Sequence, residues 1–132
     1  MDLSKQIILV TGSNGFLGQH VCNELIARGV TDLGELHHTM DVLAPKKPGF
    51  IRVRSADYDL TDESRVRACY AAATPDTVIH LAAVVGGIGA NRKHPGSFYY
   101  KNLMMGALLM EHARHHNVKK FVAVGTICAY PK

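Results

Sequence analysis

Ile7-Ile8-Leu9-Val10-Thr11-Gly12-Ser13-Asn14-Gly15-Phe16-Leu17-Gly18 is the stretch that decides the fold. Four consecutive apolar residues, three of them β-branched, fit a parallel strand covered on both faces better than the alternation of a half-exposed one. The three glycines that follow end the strand in a turn, and residues 19–28 read as a helix closed by Gly29. A strand, a glycine turn and a helix in that order suit a pyrophosphate. Gly12 allows the tight turn, Gly15 lets backbone come near the phosphates, and Gly18 lets the helix lie close to the strand. The helix N-terminus adds unpaired N–H groups and the positive end of its dipole.

Outward from this unit the chain alternates between the two periodicities. Residues 77–83 (Thr-Val-Ile-His-Leu-Ala-Ala) and 120–125 (Lys-Phe-Val-Ala-Val-Gly) read as further buried strands. Residues 62–73 read as a helix with Thr61 as N-cap, and residues 95–116 as a long helix rich in Leu, Met and Ala that opens on Pro95 and runs to His116. Such alternation predicts one α/β domain over 1–132, a parallel doubly wound sheet of Rossmann type with helices on both faces. Residues 30–55 admit two readings. Either two strands flank the Pro/Lys/Gly-rich stretch 44–49, or one strand at 50–54 follows a surface insertion.

Bulk properties narrow the function classes. The 132 residues suffice for one domain, and 47% hydrophobic with 20% charged residues is ordinary for a folded globular protein. A formal net charge of +4 is spread along the chain without a run of like charges, so a nucleic-acid arm is not expected and an anionic small ligand is. Three scattered cysteines without a Cys-x-x-Cys pair suggest a reducing compartment. No signal peptide and no apolar run of bilayer length is visible, so a cytoplasmic protein without membrane association is expected. Eight histidines raise the question of metal. His112 and His116 have i,i+4 spacing but no His-Glu-x-x-His pattern, so a solvated helix end and no metal site are expected.

The glycine spacing is Gly-x-x-Gly-x-x-Gly after Thr11, and with Asp59-Leu60 and His80-Leu81-Ala82-Ala83 it resembles the extended short-chain dehydrogenase/reductase family. Val85-Gly86-Gly87-Ile88-Gly89-Ala90-Asn91, Pro95, Asn102 and the string Cys128-Ala129-Tyr130-Pro131-Lys132 are similar to the GDP-L-fucose synthase branch of that family. The resemblance implies an NADP-dependent enzyme that epimerises and reduces GDP-4-keto-6-deoxymannose to GDP-L-fucose. It assigns cofactor contacts to Gly12, Ser13, Asn14, Gly15, Phe16, Leu17, Arg54, Asp59, Leu60, Leu81, Ala82 and Ala83. It also implies that Thr126 hydrogen-bonds the keto oxygen, that Cys128 acts as acid or base in epimerisation, and that the 95–116 helix forms half of a homodimer interface. The Met/Leu stripe of that helix (Leu103, Met104, Leu108, Leu109, Met110) is expected first of all to be core.

Three departures qualify these implications. No tyrosine is followed four residues on by lysine, so the catalytic Tyr-x-x-x-Lys pair of the family is missing, and with it the C-terminal substrate domain. The chain therefore reads as the N-terminal part of such an enzyme, inactive alone, with a non-catalytic dinucleotide-binding module or another nucleotide-sugar epimerase or dehydratase as the rivals. Val84 stands where some members carry a lysine. Cofactor choice hinges on residues 30–55. If the strand at 51–54 is the second strand, Arg54 ends it and meets a 2′-phosphate, giving NADP; if 35–40 is that strand, Asp41 ends it and meets a ribose hydroxyl, giving NAD. The match of residues 54–60 favours NADP.

Overall fold

The computed structural model describes residues 2–37 and 47–125. After a 3-10 turn at Leu3–Lys5, the elements are β1 (Ile7–Thr11), α1 (Phe16–Ala27), β2 (Asp32–Leu36), β3 (Gly49–Val53), α2 (Glu63–Ala73), β4 (Thr77–His80), α3 (Ile88–Lys93), α4 (Pro95–His115) and β5 (Lys120–Ala123). Five strands form one parallel sheet in the order β2-β3-β1-β4-β5. The expected doubly wound architecture is what the chain adopts.

The apolar run of β1 explains the layering. Ile8 and Val10 point to one face, where they pack with Cys22 and Leu25 of α1, Val30 and Phe50. Leu9 points to the other, among Val66, Cys69 and Tyr70 of α2, Val78, and Met105 and Leu109 of α4. All three β1 residues are fully buried, as a strand covered by helices on both sides requires. Between α2 and α4 the Tyr70 hydroxyl donates to the Leu109 carbonyl at 2.7 Å, which satisfies the one polar atom of a fully buried ring.

Helix ends follow their local chemistry. α1 stops in a Schellman arrangement, with Gly29 N–H donating to the Ile26 carbonyl (2.9 Å) and Val30 N–H to the Leu25 carbonyl (3.0 Å). α2 is capped by Asp62, not by Thr61 as expected: the Asp62 carboxylate accepts from the Ser64 and Arg65 amides at 2.7 and 3.3 Å. Thr61 instead donates to Asp59.

Both later strands end before their expected limits, for one reason. Thr11 pairs with His80 and His80 with Ala123. When β1 turns away at Gly12, the ladder has no partner to extend. Residues 81–83 and 124–125 thus leave the sheet.

The ambiguous segment holds two strands, and the sheet order decides between the readings. β3 lies directly beside β1, with Ile7 opposite Gly49 and Thr11 opposite Val53, while β2 lies outside β3. The strand expected at 51–54 therefore occupies the position next to β1; it ends at Val53, and Arg54 is the first residue beyond it. The other one spans Asp32–Leu36, not 35–40, and sits at the outer edge; Asp41 lies outside the described residues.

Two expectations for α4 are corrected. Leu109 and Met105 are buried, but Leu103 and Met110 of the stripe are about half exposed, so the helix is apolar on more than its core side. His112 is not solvated. It is 6% exposed, stacked on Tyr70 with ring centroids 6.1 Å apart, because its face of α4 is the one packed on α2. Among the described residues no group of three or more His, Cys, Asp or Glu is placed to hold a metal, and no helix is long and apolar enough to cross a membrane. Replacing Tyr70 by Phe should strand the hydroxyl's role between α2 and α4 and cost about 1–2 kcal/mol, read from urea melts; an unchanged midpoint would contradict this packing.

Candidate functional site

At the C-terminal ends of β1, β3 and β4 the backbone opens into a cleft of about 840 Å³. This is where an open parallel sheet binds ligands: α1 leaves β1 toward one face, and the chain after β4 leads to α4 on the other, so the two connections diverge. All twelve residues expected at a cofactor line this one cleft: Gly12, Ser13, Asn14, Gly15, Phe16 and Leu17 on the floor, Arg54, Asp59 and Leu60 on one wall, and Leu81, Ala82 and Ala83 on the other. Thr126 and Cys128 lie outside the described residues.

The glycine turn is shaped by contact. Gly12 has φ +70°, and a Cβ there would stand 2.5 Å from the Ala82 amide nitrogen and 2.6 Å from the Leu81 carbonyl carbon. A Cβ on Gly18 would overlap the Gly12 carbonyl and the Ser13 backbone. Both positions admit only glycine without moving backbone. The turn closes with Gly15 N–H donating to the Gly12 carbonyl at 3.1 Å, and the first regular helical bond runs from Gln19 N–H to the Gly15 carbonyl at 3.0 Å. The Phe16, Leu17 and Gly18 amides precede that bond, and Gly15 offers no side-chain cap. Ser13 is 3% exposed, and its hydroxyl has no hydrogen-bond partner among the described residues although it lines the cleft. An orphaned buried hydroxyl beside uncapped amides is the donor set that a diphosphate satisfies.

Thr11 fixes the opposite wall. Its hydroxyl oxygen accepts from the Leu81 and Ala82 amides at 3.2 Å each, and lies 2.8 Å from His80 Nδ1. With two amides donating to that oxygen, its own proton goes to Nδ1, which makes His80 the neutral tautomer with the proton on Nε2. Burial also pushes the His80 pKa down from the ordinary histidine value. Farther along, Asn102 of α4 clamps Val84: its Oδ1 accepts from the Val84 amide at 2.7 Å and its Nδ2 donates to the Val84 carbonyl at 2.9 Å.

On the first wall, the Asp59 carboxylate accepts from the Thr61 hydroxyl (2.7 Å) and amide (2.9 Å), and those bonds hold its pKa below the usual carboxylate range. Arg54 follows β3 and is ion-paired with Glu35 and Asp57 at 3.0 Å each. Sequence reading missed Lys101, the one cation of α4 that lines the cleft, with Met105 one turn on. Its i,i+4 relation to Met105 carries a signal only once the cleft-facing side of α4 is known.

A family model described as the NAD dependent epimerase/dehydratase family matches residues 8–132. GDP-L-colitose synthase of Yersinia pseudotuberculosis is 31% identical over 125 residues, 95% of this chain and 35% of that protein. GDP-L-fucose synthase of Escherichia coli K12 is 30% identical over 130 residues, 98% of this chain and 35% of that protein. The structure of a GDP-L-fucose synthetase from Naegleria fowleri bound to NADP superposes with a TM-score of 0.72 at 25% identity, covering 98% of this chain and 33% of that one. The chain thus spans about a third of the length of the relatives it matches.

Stability should depend on pH through His80. Its folded pKa lies below the unfolded value, so protons bind the unfolded chain preferentially. Stability is then level above about pH 6.5 and falls as pH drops below it, with buried His112 acting in the same direction. Thermal melts across that range should show the fall, and His80→Gln should reduce it; a curve rising toward acid would contradict the assignment.

Proposed function

The chain belongs to the NAD dependent epimerase/dehydratase family, and on that premise we propose that it is the dinucleotide-binding portion of a nucleotide-sugar epimerase/reductase similar to GDP-L-fucose synthase, with NADP(H) as cofactor. The observation that carries the reading is the glycine turn pressed onto Leu81 and Ala82, with the Ser13 hydroxyl buried and unpartnered beside the uncapped start of α1. The cradle offers donors of the kind that a pyrophosphate takes. The nicotinamide, when bound, would supply or take up the hydride that reduction of a keto sugar requires.

The chain's own residues would hold it. The amides of Phe16 and Leu17 and the Ser13 hydroxyl would bind the pyrophosphate, with Gly12, Asn14 and Gly15 forming the turn beneath it. Asp59 and Leu60 would border the adenosine half, and Leu81, Ala82 and Ala83 would exclude water along the other side. Arg54 would meet the 2′-phosphate, since it directly follows β3, the strand next to β1, and lines the cleft. NADP is supported by the Naegleria fowleri structure, which has that cofactor bound. The roles of Thr126 and Cys128, hydrogen-bonding the keto oxygen and moving protons in epimerisation, rest on the family resemblance alone. Tyr99, Tyr100, Leu103 and Met110, exposed on α4, support a homodimer through that helix.

Calorimetry on the chain should show NADP bound more tightly than NAD. Arg54→Ala should weaken NADP about tenfold or more and remove that preference, and Gly18→Val should abolish binding of both. Tighter binding of NAD by the native chain would overturn the Arg54 assignment. With no Tyr-x-x-x-Lys pair in its sequence, the chain by itself should not oxidise NADPH in the presence of a GDP-4-keto-6-deoxy sugar; turnover above background would contradict that.

A further inference from the structure

The guanidinium of Arg54 is already occupied. Its Nη1 lies 3.0 Å from Glu35 Oε2, and its Nε and Nη2 each lie 3.0 Å from Asp57 Oδ2. Among the described residues one positive and two negative formal charges therefore meet at this corner of the cleft, with the His37 ring 3.7 Å from Asp57. The neighbouring Arg52–Asp32 pair, at 3.4 Å, is balanced within itself.

The two acids reach Arg54 by different routes. Asp57 sits three residues on in the same turn, which closes with the Asp57 and Tyr58 amides donating to the Arg54 carbonyl at 3.2 and 3.0 Å. Glu35 comes from β2, the edge strand outside β3. Its arrival depends on a bulge. Asp32 is opposite Phe50 and Glu35 opposite Arg52, so three residues of β2 span two of β3. In a regular strand residues 32 and 35 would face opposite sides of the sheet. The extra residue, near Gly34 at φ +87°, turns Glu35 onto the side of Arg52 and Arg54. Each acid of β2 then pairs with the arginine two places beyond its own register partner.

We propose that Glu35, brought by the bulged edge strand to 3.0 Å from Arg54, is a specificity-determining residue that competes with a 2′-phosphate for that guanidinium and holds down the preference for NADP over NAD. The proposal rests on the dinucleotide reading above. A 2′-phosphate must displace a carboxylate from Arg54 and carry its own negative charge to within a few ångströms of both acids. A ribose 2′-hydroxyl carries no charge and can donate to a carboxylate, so it meets no such opposition. Glu35 acts through Arg54 and does not itself line the cleft.

The test is calorimetry of NADP and NAD on the native chain, Glu35→Gln and Glu35→Asp, at low and high salt. Glu35→Gln keeps the side chain's size and removes its charge. The ratio of NADP to NAD affinity should rise about three- to tenfold in Glu35→Gln, stay near native in Glu35→Asp, and rise less at high salt. An unchanged or lowered ratio in Glu35→Gln, or an equal rise in Glu35→Asp, overturns the role of Glu35 while leaving the dinucleotide site standing. Failure of the native chain to bind either nucleotide overturns the dinucleotide reading, and this proposal with it. A melting curve for each variant separates loss of fold from loss of selectivity.

Discussion

The approach of the Gly12 turn to the Leu81–Ala82 backbone is the constraint on which the rest of the structure depends. Carbon where Gly12 has only hydrogen would stand 2.5 Å from the Ala82 nitrogen. That nearness lets the Thr11 hydroxyl reach two amides of the opposite wall, and it ends the ladder between β1 and β4 at Thr11 and His80. Once the ladder ends, the two strands' continuations diverge to opposite faces and leave the cleft between them. The helix on one side begins with uncapped amides, and the wall on the other is pinned by Thr11 and Asn102. The glycine-turn end of the cleft is thus built mostly from backbone.

How much of this was legible in the residues depended on how far the deciding contact lay along the chain. β1, the glycine turn and α1 were legible because strand, turn and helix follow one another and each carries its own local signal. The twelve cleft residues came from motifs, and the fold brings them together. β2 was not legible as an edge strand, because Asp-Leu-Gly-Glu-Leu has a glycine inside and an irregular register, and nothing in it says which neighbour it pairs with. The six residues of α3 carried no periodicity long enough to read. His112 looked solvated because its partner, Tyr70, lies on another helix, 42 positions earlier. Lys101 went unseen for the same reason: its significance comes from the face of α4 that meets the cleft.

Charge at the cleft is distributed unevenly. The glycine-turn end offers amides, a hydroxyl and a helix dipole, none of which carries a formal charge. At the other end Arg54 is ion-paired with two carboxylates, one of them supplied by an edge strand, and the proposed reading puts cofactor selectivity there. Binding strength and cofactor choice would, on the proposed reading, be assigned to different elements. On that reading the first would belong to the β1–α1 unit and the second to the β2–β3 edge, so cofactor choice could change without disturbing the turn.

The central claim is that the turn from Gly12 to Gly18 holds the pyrophosphate of a dinucleotide. Amide chemical shifts of the labelled chain during titration with NADP test it most directly. The account predicts the largest, saturable shifts at residues 12–18, with Phe16 and Leu17 moving downfield as their uncapped N–H groups gain an acceptor, and smaller shifts at Leu81–Ala83. Saturable shifts centred elsewhere, with residues 12–18 unmoved, would contradict it.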